Sequence, residues 1–352
     1  MRMAIQGIGV TGAFGAGVES LRNALKSGAG SPKPSSDTSD AGLFYQASVE
    51  GLDEFFPKRA LRRIDYFSKM TLLSACLALK DANQLDADRS RTGVVIASGY
   101  GALKTTFDFL DSYLDFGYAC SSPTHFSNSV HNAAAAHVSI QFKATAPSLT
   151  VTQFEMSAPS ALLSAQQWLA EGRVDQVLFG AIDEHCDVLR YCRQQFFAAG
   201  EQGPLQPFLF EQQTAVVGEG ATFFVLTPET ESAKYAHIDG LKLGNHLVCP
   251  VQLPQKDLLI LGADGHKECG RLYAKALKSK EAAAYAPLYG SFPAAAGLDL
   301  AVAALCLQDR TRYANPEATS TTPQAHQTLE TEKISCLKFG PGGDYGLTQL
   351  SV

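Results

Sequence analysis

Residues 147–184 read PSLTVTQFEMSAPSALLSAQQWLAEGRVDQVLFGAIDE. Leu149, Val151 and Gln153 alternate with Thr150, Thr152 and Phe154, a period-2 run rich in β-branched residues that predicts a strand. Ser157 is placed to cap a helix, and Pro159 suits its first turn. Ala158, Ala161, Leu162, Ala165, Trp168 and Leu169 then recur at helical spacing, which gives the helix one buried face. Gly172 is the stop, and residues 174–180 read as the next strand. Strand, tight turn, helix and strand in this order predict an α/β unit. Glu155 stands at the strand-to-helix turn, where α/β enzymes often set a nucleophile.

Upstream, Met3–Val10 reads as a first strand, and a glycine-rich turn leads into a helix over 18–26. The glycines do not follow GxGxxG spacing, and no acidic residue closes a second strand, so a dinucleotide site is not indicated. Residues 27–42 are rich in Ser, Pro, Gly and Asp and predict a surface loop. Residues 58–83 predict one long helix, 91–98 a buried strand and 102–116 a helix. A loop over 117–129 and an alanine-rich helix over 131–140 follow. Downstream come a helical bridge over 189–197 and a strand over 216–226. Further strands are predicted near 237–247, 257–262 and 286–289, with helices over 267–277 and 293–307. Residues 311–330 read as a polar loop, and two paired strands, 333–339 and 345–352, end the chain. Strands alternate with helices twice over, which predicts two similar α/β halves, 1–232 and 233–352, packed together.

A chain of 352 residues is long enough for two ordinary domains with substantial cores. A net charge of −6 argues against general nucleic-acid binding, which requires basic surface. No stretch approaches the length of a membrane span, and the N-terminus breaks into glycines too early for a signal peptide. The eight cysteines are scattered without a CxxC pair, consistent with a reduced, cytoplasmic protein. No metal or cofactor motif is present.

Four blocks carry a family resemblance: RRIDYFSKMTLLSACLALKDAN from Arg62, RTGVVIASGYG from Arg91, VGEGATFFVL from Val217 and YGSFPAAAGLDLAVAAL from Tyr289. In order and spacing they resemble the β-ketoacyl-acyl-carrier-protein synthases of the thiolase fold. The resemblance implies a layered αβαβα arrangement of two halves. It also implies a cysteine that takes the acyl chain and two histidines that assist malonyl decarboxylation and steady the enolate. A helix N-terminus lowers the pKa of such a thiol, and the histidines act as donors to the developing oxyanion. Carried across, the cysteine position falls on Glu155, the first histidine on Asp264 and the second on Ser291. The lysine that precedes the second histidine falls near Ala286. Cys120, in a Cys-Ser-Ser string, and His266, two residues from Asp264, are two possible substitutes. His131 and His137 read as structural.

The resemblance therefore implies a non-catalytic subunit of the chain-length-factor, or ketosynthase β, type. This kind of subunit forms a heterodimer with an active ketosynthase in type II polyketide systems, including those making aryl polyenes, and works with an acyl carrier protein. Its interface would involve the strand over 149–154 and the region 125–137, with Leu149, Val151, Gln153, Glu155 and His131 as contacts. Phe154, Met156 and Phe339 are candidates to line or gate a tunnel, with core packing as their other reading. The other reading of Glu155 is a cap on its own helix or a tie between a strand and a dimer interface. Two further readings stay open: a malonyl-carrier decarboxylase that primes chains, and a homodimer that holds a carrier protein or acyl chain.

Overall fold

The structure is a computed structural model and describes residues 1–30, 32–34, 43–196, 203–229, 232–278, 280–316 and 325–352. In residues 1–232 the main strands are β1 (Met3–Gly12), β2 (Thr92–Ala97), β3 (Ser148–Val151), β4 (Gln176–Asp183) and β5 (Gly220–Pro228). In 233–352 they are β6 (His237–Asn245), β7 (Leu258–Leu261), β8 (Ala282–Ala283), β9 (Lys333–Phe339) and β10 (Asp344–Ser351). All belong to one 11-stranded sheet in the order β8-β7-β9-β10-β6-β1-β5-β4-β2-β3, with Gly15–Ala16 pairing on β1.

The two groups of strands are wired alike. In the first, β1 runs antiparallel to β5 and β5 antiparallel to β4, while β4–β2 and β2–β3 are parallel. In the second, β6 runs antiparallel to β10 and β10 antiparallel to β9, while β9–β7 and β7–β8 are parallel. The groups meet where Met3 pairs with Ile238 and Ala4 with His237.

The helices are α1 (Val18–Ser27), α2 (Lys58–Leu61), α3 (Tyr66–Asp81), α4 (Leu103–Phe116), α5 (Pro123–Ser129), α6 (Ala133–Phe142), α7 (Ser157–Ala170), α8 (Asp187–Phe196), α9 (Lys267–Leu277) and α10 (Ala296–Gln308). α7 and α10 each touch strands of both groups and form the central layer. α3 covers β1, β5 and β4 on one outer side, and α9 lies against β9 on the other. The succession is α, β, α, β, α. α10 is buried all round from Gly297 to Leu307, as a sequence apolar but for Asp299 requires, and Tyr289 donates to that one carboxyl. Gly9 is fixed by the α3 contact: a Cβ there would stand 2.0 Å from the Ser74 carbonyl oxygen.

Several elements differ from the sequence reading. The helix expected over 58–83 is two helices: the first ends at Leu61, and Asp65 caps α3, accepting from the Ser68 N–H at 2.9 Å. The strand expected to reach Phe154 ends at Val151, and Phe154–Met156 forms a 3₁₀ turn. Ser157 does not cap α7. It lies inside the helix, accepts from the Gln153 N–H and donates to the Ser98 carbonyl, tying the turn to the end of β2. The expected loop over 117–129 contains α5, begun by Ser122 and Pro123. The strand expected over 286–289 is a 3₁₀ turn, and the strand lies earlier, at β8. Parts of the predicted loops, 31 and 35–42 near the N-terminus and 317–324 near the C-terminus, fall outside the described residues, as does the end of the helical bridge at Phe197.

Candidate functional site

Asp183, the last residue of β4, builds the floor on which the opening turn sits. Its Oδ1 accepts from Ser98 Oγ and from the N–H groups of Gly99 and Tyr100, and its Oδ2 accepts from the Ala294 N–H. One buried carboxylate thus joins the ends of β2 and β4 to the turn that starts α10. Burial pushes its pKa up to about 6, against the pull of these four donors.

The Phe154–Met156 turn packs against β9, β10 and the turn over 293–295. Phe154 is held at φ 46, in left-handed space that a bulky side chain seldom enters. Its ring stays 59% exposed and meets Tyr100 edge-on at 5.9 Å. Met156 is buried. Glu155 is half-buried and faces Gly340, where a Cβ would stand 3.9 Å from its Oε2.

Asp264 and Ser291 come together. Ser291 Oγ donates to Asp264 Oδ2 at 3.0 Å. A third residue completes the group: Lys338 Nζ donates to the same Asp264 oxygen at 3.2 Å and to the Gly262 carbonyl at 2.9 Å. All three residues are buried. Burial alone would raise the Asp264 pKa, but the charges of Lys338 and His266 and the Ser291 hydrogen bond hold it well below the carboxylate range. Burial would lower the Lys338 pKa, and Asp264, with help from Glu155, holds it above the ordinary lysine value. The cluster is therefore a fully charged ion pair, with a second carboxylate at its edge. Lys338 offers donors but no free base, and Asp264, as an anion, can only accept.

Cys269 shares this field, but burial pushes its thiol up to about 12. Cys120 is exposed in a 3₁₀ turn with no such surroundings. His266 pairs through Nδ1 with Gln213 Nε2 at 3.2 Å. His137 Nε2 meets Asn128 Oδ1 at 3.1 Å, and His131 is exposed beside Gly101. Phe339 is fully buried, edge-on to Tyr273 at 5.0 Å and to His246 at 5.4 Å. Ala286 is buried in its 3₁₀ turn. Leu149, Val151 and Gln153 lie on or just beyond β3, which pairs on one side only and forms an edge of the sheet. Among the described residues no cluster of side chains suited to a metal ion occurs, and no helix is long and apolar enough to cross a membrane.

Glu184 follows Asp183 and accepts from the Lys104 N–H at 3.0 Å, at the start of α4. Burial raises its pKa to about 8, and the nearby charges of Asp65 and Glu219 add to the shift. In the unfolded chain it would titrate near 4.5. Between these values the folded state holds a proton that the unfolded state has lost, so its contribution to stability falls as pH rises through this window. Urea unfolding at pH 5 and pH 8 is expected to give a lower midpoint at pH 8. Glu184→Gln, which keeps the acceptor and removes the titration, should reduce that difference.

Residues 2–232 match the family described as beta-ketoacyl synthase, N-terminal domain. The chain belongs to this family. Curated relatives named 3-oxoacyl-[acyl-carrier-protein] synthase 2 include one from Rhizobium meliloti, 27% identical over 54% of this chain and 47% of its own length. Another, from Synechocystis, is 24% identical over 70% of this chain and 63% of its own length. The chain thus spans about half to three-fifths of the length of these synthases. Solved structures share the fold over nearly the whole chain. A beta-ketoacyl synthase from Burkholderia phymatum aligns with TM-score 0.83 and 18% identity, covering 99% of both chains. The ishigamide ketosynthase/chain length factor aligns at 0.80 with 18% identity, over 100% of this chain and 99% of the other. A ketosynthase in complex with its chain length factor from Xenorhabdus doucetiae aligns at 0.81 with 14% identity, over 99% and 98%.

Proposed function

We propose that this family member is a non-catalytic subunit of the chain-length-factor type. It forms a heterodimer with an active β-ketoacyl-carrier-protein synthase and shapes the tunnel that holds the partner's growing chain. The observation that carries this reading is the Asp264–Lys338–Ser291 cluster with Glu155 beside it. By the family resemblance Glu155, Asp264 and Ser291 fall at the positions of the cysteine and the two histidines, where acyl transfer and enolate formation need a thiolate and neutral donors, and Lys338 ties Asp264 into an ion pair. A carboxylate at position 155 cannot exchange thioesters as a thiolate does. The halves 1–232 and 233–352 are read as two domains of one topology, working in the cytoplasm.

In this reading the partner covers the edge strand β3 and the neighbouring excursion over 103–130. Leu114, Phe116, Tyr118, Phe126 and Val130 are exposed there, at 75%, 68%, 85%, 58% and 46%. So much apolar surface marks an interaction face. Gln153 and His131 flank it, and Phe154 is the tunnel-lining candidate, because its ring is the one left exposed. The carrier protein is the second partner. Lys58, Arg59, Arg62 and Arg63 form an exposed cationic strip with no ion pair among the described residues, suited to an anionic protein.

Co-expression with a ketosynthase that keeps an intact Cys-His-His set tests the reading. A mixed dimer should co-purify, and condensation should appear only in the mixture. A stable homodimer that never exchanges with the ketosynthase overturns it. Leu114→Asp should leave the melting temperature unchanged and reduce co-purification by about tenfold or more, as loss of an interface anchor does. Carbon dioxide release from malonyl-carrier by the purified chain alone, lost in Glu155→Gln, would favour the decarboxylase.

A further inference from the structure

A cavity of about 440 Å³ opens on the outer side of the second group of strands, between the C-terminal end of α9 and the edge strand β8. This is within the usual size range of small-molecule sites. Its lining shares no residue with the partner contacts proposed above.

Its floor is apolar and pre-formed. Phe208 and Phe210 meet edge-on at 6.1 Å, and Phe210 stacks on buried Tyr273 at 6.4 Å. The Phe210 backbone rests on α9 so closely that a Cβ on Gly270 would come within 2.4 Å of its carbonyl oxygen. Leu277 completes the apolar surface.

The polar lining consists of donors. Lys280, in the lining, donates through Nζ to the Leu253 and Pro254 carbonyls, at 3.3 and 2.6 Å, which leaves one of its three N–H groups for a ligand. Asn315 has its Oδ1 engaged by the Ala284 N–H at 3.1 Å, which leaves its amide N–H₂ as the free end. Lys278 is exposed at the rim, in no ion pair among the described residues, and is held at φ 55 and ψ −99 at the end of α9. Among the described residues no carboxylate lines the cavity. An aromatic floor under two ammonium groups and an amide donor complements one kind of ligand.

We propose that this cavity binds a small organic acid: a carboxylate headgroup held by Lys278, Lys280 and Asn315, with an apolar chain or ring on Phe208 and Phe210. Calorimetric titration of the full chain with octanoate, and with acetate as the tail-less control, tests it. Octanoate should bind one per chain, with acetate about tenfold weaker or worse. Lys278→Glu and Phe208→Ser should each weaken octanoate by about tenfold. Lys80→Glu, the same charge change at the exposed end of α3, should leave binding intact. Lys278 is a surface residue, so its variant reports on binding even if Phe208→Ser proves unstable. Absence of octanoate binding, equal binding of acetate, or equal weakening by Lys278→Glu and Lys80→Glu would each overturn the proposal.

Discussion

Lys338→Met is expected to lower the free energy of unfolding by about 3–5 kcal/mol, because it strands a buried carboxylate without its counter-charge. The ammonium serves Asp264 and the Gly262 carbonyl together, and both lose their donor. Ser291 remains on Asp264 but brings no charge. The paired change Asp264→Leu with Lys338→Met should recover most of the loss, since an apolar pair of similar volume replaces a buried ion pair at little or no net cost. Chemical denaturation of the two variants and the parent closes this cycle. If the single and double variants fall equally, the two charges are not coupled and the ion pair is not what holds the cluster. The single variant should also change the pH response. With Lys338 gone, Asp264 loses the main force holding its pKa down, so it should take up a proton at higher pH.

Asp183→Ala should be of similar size and different origin. It leaves a hydroxyl and three backbone N–H groups without an acceptor in a site closed to water. Each orphaned buried donor costs about 1–3 kcal/mol, so even partial relaxation leaves a loss of several kcal/mol. Asp183→Asn keeps the Oδ1 side and disturbs only the Ala294 contact, so it should retain more than half of the stability that alanine loses. Circular dichroism melts of both variants measure the difference. Because Ala294 begins the turn into α10, alanine should also loosen the register between the central helices and β2. Faster hydrogen exchange at Gly99 and Tyr100 would report this.

The alternation of strands and helices was legible in the sequence because its periods are long and clean. Residues 147–184 show this best, with a β-branched run, a helix of small residues and a glycine stop. The doubled wiring was visible only as an order of elements, since strand neighbours are set by pairings between distant residues such as Met3 with Ile238. Errors gathered where a local device outweighed periodicity. Asp65 caps a new helix inside a stretch that the apolar spacing reads as one, and the turn at Phe154 follows a strand whose alternation ran on. Asp264, Ser291 and Glu155 were singled out through the family resemblance. Lys338 was missed as their partner, because a lysine inside an apolar strand gives no sign of which carboxylate it will meet. The signal that was present is its composition: ISCLKF is apolar on both sides of one charge, and such a charge must find a counter-charge. Asp183 and Glu184 lie beyond the strand read over 174–180 and drew no reading, although two adjacent acids after an apolar run carry the same signal.

The wiring of the sheet also sets the order in which the protein can assemble. In each group of strands, the first to be synthesised lies beside the last: β1 beside β5, and β6 beside β10. Neither opening strand can complete its ladder until its whole group has been made. β1 must stay unpaired on the β5 side while α1 through α8 emerge. Its apolar side chains, among them Ile5, Ile8 and Val10, are then open to solvent and to other chains. Such high contact order makes for slow folding and a long window for aggregation. Yield from the ribosome should therefore depend on chaperone supply and synthesis rate more strongly than the stability of the finished protein would suggest.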